Sequence, residues 1–124
     1  MKFRTGLASL GAVSVLALAS CQPVATAPPA ASQAALAQAV ASPTRTPANV
    51  ARDRYRHPSE TLAFFGVQPD DTVVEIWPGG GWYTEILAPY LRGSGKLYAA
   101  HFNPESTVEY FRKSHTEFMG KLAA

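Results

Sequence analysis

The sequence predicts an α/β chain, the beginning of a doubly wound parallel sheet, and three observations carry that prediction. A β-branched run, Val73-Val74-Glu75-Ile76, breaks into Pro78-Gly79-Gly80-Gly81 and resumes with helical periodicity at Trp82. A second strand pattern, Lys96 to His101, follows one helix length later. Val108, Phe111, His115, Phe118 and Leu122 then recur at steps of three and four, the stripe of a core-facing helix. Helix, strand, helix, strand, helix is how a parallel α/β sheet starts.

The first 21 residues read as an address. Lys2 and Arg4 form a basic n-region, and Leu7 through Leu18 form an apolar core too short to cross a bilayer. Leu18-Ala19-Ser20-Cys21 resembles a bacterial lipobox, which implies that Cys21 becomes a lipidated N-terminus anchoring the chain to a membrane. Gln22 after that cysteine, rather than Asp, resembles lipoproteins sorted to the outer membrane, facing the periplasm. Without Lys2 and Arg4, nine basic residues face nine acids, a balance that offers no nucleic-acid surface. One cysteine in the chain excludes an intrachain disulfide.

Residues 22–50 are Ala, Pro, Ser, Thr and Gln with one charge, Arg45, and few large side chains to bury. Such a stretch cannot offset the entropy of ordering, so it is expected to be a disordered tether. Residues 51–124 are then the folded part. They fall well short of the roughly 150 residues usual for a doubly wound domain, so the domain is expected to be incomplete.

Within that part, Arg52 to Pro58 is a charged lead-in. Ser59 is expected to cap a short helix that Gly66 stops. Pro69-Asp70-Asp71 forms a turn, and Thr72 to Trp77 is a strand suited to burial on both faces. A helix from Trp82 to Leu91 follows, with Pro89 bending or shortening its end. Arg92 to Gly95 is a flexible connection. Asn103-Pro104-Glu105 combines a capping residue, proline at the first helical position and an acid in the first turn, so the last helix is expected to open there.

Three ligand loops compete for the glycine cluster. A P-loop needs Lys directly after its last glycine, and none follows Gly81 before Lys96. The dinucleotide fingerprint needs a small residue where Thr84 stands. The third pattern, acid-x-Gly-x-Gly-x-Gly, fits better, with Glu75 as the acid, Gly79 and Gly81 as later glycines and Trp77 in place of the first. This stretch resembles the first motif of class I S-adenosylmethionine-dependent methyltransferases. With its lead-in Phe64 to Glu75 and the strand Gly95 to His101, it is similar to a group of secreted bacterial predicted methyltransferases.

The resemblance implies a Rossmann-like fold and S-adenosylmethionine as cofactor. It implies that Glu75 orients the methionine part and that Trp77, Gly79, Gly80 and Gly81 shape its cradle. It also implies that His101 meets the ribose, with one acceptor and one donor where the family has a carboxylate. Trp77 before Pro78 is expected to be extended. The catalytic residues of this class lie on later strands, so they stay unassigned and no methyl transfer is expected from this chain alone. A non-catalytic envelope module that binds another small ligand or a protein partner is the alternative. Trp77, Trp82 and Tyr83 fit either a stacking wall or simple core packing. His57 reads as a loop residue and His115 as a packed helix residue. Three scattered histidines give no metal-ligand spacing.

Overall fold

A computed structural model describes residues 29–123. The chain runs α1 (Ala30–Val40), α2 (Pro47–Val50), α3 (Asp53–Arg56), α4 (Pro58–Phe64), β1 (Thr72–Ile76), α5 (Thr84–Leu91), β2 (Lys96–Ala100) and α6 (Glu109–Leu122). The two strands pair in parallel, Thr72 opposite Lys96 through Ile76 opposite Ala100. This is a mixed α/β arrangement with a two-stranded sheet.

The largest departure from expectation lies in the segment read as a tether. From Ala30 it is a helix that packs on α4 and α5. Ser32, Leu36 and Ala39 repeat at steps of four and three and are buried. Two of the three are small, so the face is narrow yet lets the backbones approach closely. Ser32 Oγ donates to Gln68 Oε1 at 2.7 Å, which ties the helix to the turn before β1. The following loop is fixed by Arg45, whose guanidinium is buried and donates to Val40 O at 2.8 Å and to both Asp53 carboxylate oxygens at 2.5 and 2.8 Å. Cys21 and the lipobox lie outside the described residues.

The core joins Leu36 and Ala39 of α1, Leu62 of α4, and Trp82, Ile86, Leu87, Tyr90 and Leu91 around α5. Helix α4 starts at Pro58, one residue before the expected Ser59 cap, because His57 turns the chain in the left-handed region (φ 44°). Its end matches expectation: Gly66 (φ 70°) closes paired bonds, Gly66 N to Ala63 O and Val67 N to Leu62 O. Pro89 does not stop α5, which continues to Leu91.

Among the described residues only one sheet face is covered, contrary to the expectation for β1. Val73 and Leu97 pack against the core, whereas Val74, Ile76 and Tyr98 on the other face are exposed. Helix α6 starts at Glu109, later than expected. Asn103 Oδ1 accepts from Glu105 N at 2.9 Å and Ser106 Oγ from Val108 N at 3.2 Å, so two side-chain turns take the capping groups before a helix forms. Of its apolar stripe, Phe118 is buried, Phe111 and His115 are half-buried, and Val108 and Leu122 are exposed.

Candidate functional site

The site grows from the C-terminal end of β1. Trp77 N still bonds Ala100 O at 2.9 Å, after which the chain turns sharply. Trp77 is not extended: its φ of 53° is left-handed despite the proline behind it. That conformation costs a non-glycine residue roughly 1–2 kcal/mol. The exposed indole stacks on Phe102, ring centres 5.4 Å apart. Gly79 (φ 55°) and Gly81 (φ 76°) are left-handed too, and Gly81 N bonds Pro78 O at 2.8 Å, so the loop is a compact reversal feeding α5.

A cleft of about 310 Å³ opens beside this loop. Its walls are Arg52, Arg56, Glu75, Ile76, Trp77, Pro78, Gly79, Gly80, Trp82 and Tyr83. The volume lies at the lower end of the range for small-molecule sites. Glu75 is half-buried and accepts from Thr84 Oγ1 at 2.5 Å. Burial pushes its carboxyl above the usual range, against the opposing pull of the Thr84 hydrogen bonds.

The loop is held from behind. Lys121 Nζ donates to Gly80 O at 2.8 Å and pairs with Glu85, which also accepts from Thr46 N at 3.2 Å and Thr46 Oγ1 at 3.0 Å. Burial raises the Glu85 carboxyl, but hydrogen bonds from Lys121, Asn49 and Thr46 outweigh it, and the group sits below its ordinary value. One carboxylate thus joins α5, α6 and the loop before α2.

The structure brings Glu75, Trp77, Gly79 and Gly80 together around the cleft and leaves two expected site residues outside its walls. Gly81 faces inward. A Cβ there would meet Phe118 Cε2 at 3.2 Å and Thr84 Oγ1 at 3.4 Å, so a side chain at 81 disturbs α6 packing instead of blocking the cleft. His101 turns toward α6, its ring 5.0 Å from Phe118 and 5.5 Å from His115. Its Nδ1 accepts from Phe102 N at 2.7 Å, and its buried Nε2 has no hydrogen-bond partner among the described residues. The two readings of the aromatics separate: Trp82 is buried in the core and donates to Asn49 O at 2.8 Å, while Trp77 is exposed at the rim.

Sequence reasoning missed Arg52 and Arg56, whose place at the cleft depends on the folded N-terminal segment. The guanidinium of Arg56 lies 4.8 Å from the Trp82 ring centre. Among the described residues no three His, Cys, Asp or Glu gather to hold a metal ion, and no helix is long and apolar enough to cross a membrane.

The raised Glu75 carboxyl has a consequence for stability. A carboxyl raised in the folded state favours folding below its unfolded value, and its ionisation costs stability as pH rises through the folded value. Glu75→Gln is therefore expected to raise Tm at pH 7 by a few degrees and to change it little at acid pH. Water in the open cleft keeps the gain small. Thermal melts across pH check this, and a lower Tm for the variant at pH 7 would rule out a costly ionised Glu75. Compared with family models, curated proteins and solved structures, the chain finds no match.

Proposed function

We propose that the chain is a methyltransferase-like envelope lipoprotein, that its two strands begin a Rossmann-like doubly wound sheet, and that the cleft cradles S-adenosylmethionine. The observation that carries this reading is the pairing of Glu75 with the left-handed glycine loop at one mouth, where β1 ends and α5 begins. The half-buried Glu75 carboxylate suits a ligand ammonium. Gly80 suits close approach, because a Cβ there would meet nothing within 4 Å and would project into open space. When bound, the cofactor supplies an electrophilic methyl group on a sulfonium. This chain's residues contribute binding and orientation, and proximity is the source of acceleration in such a transfer.

Calorimetry with the demethylated cofactor, S-adenosylhomocysteine, tests the cradle, with quenching of Trp77 fluorescence as a second readout. Binding is expected for the parent chain, with at least a tenfold loss for Gly80→Val. Gly80 is not left-handed and has free space around it, so that variant keeps its fold. No heat from the parent at millimolar ligand would reject the cofactor reading.

The second reading, a non-catalytic module for another small ligand or a protein partner, is favoured by one observation. His101, at the end of β2, points away from the cleft and brings it no ribose acceptor. Binding of S-adenosylhomocysteine well above that of either homocysteine or adenosine alone would argue against this module, since it requires a site that reads both ends of the cofactor.

We also propose lipidation of Cys21. Cys21→Ser is expected to move the protein from the membrane to the soluble fraction, and unchanged membrane partition of the variant would reject the anchor.

A further inference from the structure

We propose that Arg52 and Arg56 form a carboxylate receptor, so that the cleft selects ligands ending in a zwitterionic amino acid. This rests on the cradle reading above and names the ligand feature that the cradle reads.

The two arginines bracket α3, far from Glu75 in sequence, yet all three line one cleft. The fold holds that juxtaposition in place. Arg45 grips Asp53 with two hydrogen bonds, and Trp82 Nε1 donates to Asn49 O just upstream. Helix α3 is thereby fixed beside the glycine loop.

The charges on α3 are not self-satisfied. The only acid between the two arginines, Asp53, is occupied by the buried Arg45. Neither Arg52 nor Arg56 has an ion-pair partner among the described residues, whereas Arg45 and Lys121 each have one. Arg56 lies over the Trp82 ring, a contact that leaves the N–H edge of the guanidinium free. A planar fork with free N–H groups matches a carboxylate in two-point geometry.

Glu75 is the one acid among the residues lining the cleft, against two guanidinium groups. A purely anionic ligand such as a phosphate leaves Glu75 half-buried beside a like charge. A purely cationic one leaves both arginines unmatched. An α-amino acid end carries an ammonium for Glu75 and a carboxylate for the arginines, and satisfies both poles at once. On this arrangement the glycine loop admits the ligand and the arginines decide which ligands stay.

The test compares two ligands on the full chain by calorimetry: S-adenosylhomocysteine and its decarboxylated amine, which keeps nucleoside, thioether and ammonium. The parent is expected to prefer the first by at least about tenfold, the scale of a charge-assisted hydrogen bond. Arg52→Gln and Arg56→Gln, made separately, are expected to shrink that preference while leaving affinity for the amine little changed. Both side chains are exposed, so the variants keep the fold, which circular dichroism verifies. Equal affinity of the parent for both ligands would overturn the carboxylate receptor and leave the cradle standing. A preference that survives in both variants would overturn the arginine assignment. Inorganic pyrophosphate displacing S-adenosylhomocysteine at lower concentration would replace the zwitterion with a phosphate ligand. Absence of any binding by the parent would remove the cradle and the receptor together.

Discussion

Asp53→Asn is expected to destabilise the fold by about 3 kcal/mol, enough to populate unfolded chains at room temperature. The Arg45 side chain is fully buried and that of Asp53 is 20% exposed, so the variant would leave a guanidinium charge inside the protein without a counter-charge. An asparagine oxygen can accept one of the two hydrogen bonds but carries no charge. Arg45 has no slack, since its Nε is already buried without a partner among the described residues. Arg45→Met removes charge and desolvation together and is expected to be milder, with the Val40 carbonyl losing its donor. Urea unfolding of the two variants gives the comparison, and near-equal midpoints would show that the pair is not effectively buried.

The same pair predicts acid sensitivity. The Arg45 hydrogen bond is the largest influence on the Asp53 carboxyl and, with its charge, holds the carboxyl below its ordinary value of 3.8 despite some burial. Stability from a depressed carboxyl is present above the unfolded value and is lost as pH falls through the folded one. Glu85, also depressed, adds to the same acid limb. Below about pH 4 the parent is expected to lose stability, and Asp53→Asn should lose less over that range.

Gly95→Ala is expected to cost at least 2–3 kcal/mol, the upper range for an overpacked site. A Cβ at Gly95 would lie 2.7 Å from Asp71 O, 2.7 Å from Pro69 O and 2.9 Å from Leu91 Cδ2. Two of those atoms are backbone, and both already accept hydrogen bonds: Asp71 O from Lys96 N at 2.9 Å and Pro69 O from Ser94 Oγ at 3.2 Å. Relief of the clash means opening the first rung of the parallel ladder. The connection expected to be flexible is therefore a close crossing of two backbones. Gly93→Ala is the control, since a Cβ there meets nothing within 4 Å. Similar melting temperatures for the two variants would show that the crossing gives way easily.

Patterns with large side chains were legible in the sequence. Val73 and Leu97 mark strands, Ile86, Leu87, Tyr90 and Leu91 mark α5, and Phe118 marks the seam of α6, each through a period of two or about 3.6. What escaped shares one physical cause, dependence on partners remote in sequence. Helix α1 buries Ser32 and Ala39, whose small side chains give almost no apolar signal until α5 is set against them. The left-handed Trp77 runs against the usual effect of a following proline, and only the closing of the loop against β2 imposes it. At Gly81 the sequence says that a Cβ is absent, not that one would point at Phe118 and away from a ligand. In the sequence Arg52 and Arg56 are ordinary surface charge, and only the pinning of α3 beside the loop brings them to the cleft.

The start of α1 at Ala30 also sets the length of a leash. Eight residues, Gln22 through Pro29, separate the proposed lipid on Cys21 from the first turn of the packed helix. Fully extended, they reach at most about 28 Å, against about 100 Å had the chain stayed loose to Val50. If Cys21 carries the proposed lipid, a leash this short would keep the folded part within about 28 Å of its anchor. With that anchor, the ligands its cleft could meet would be those within this short reach of the membrane surface.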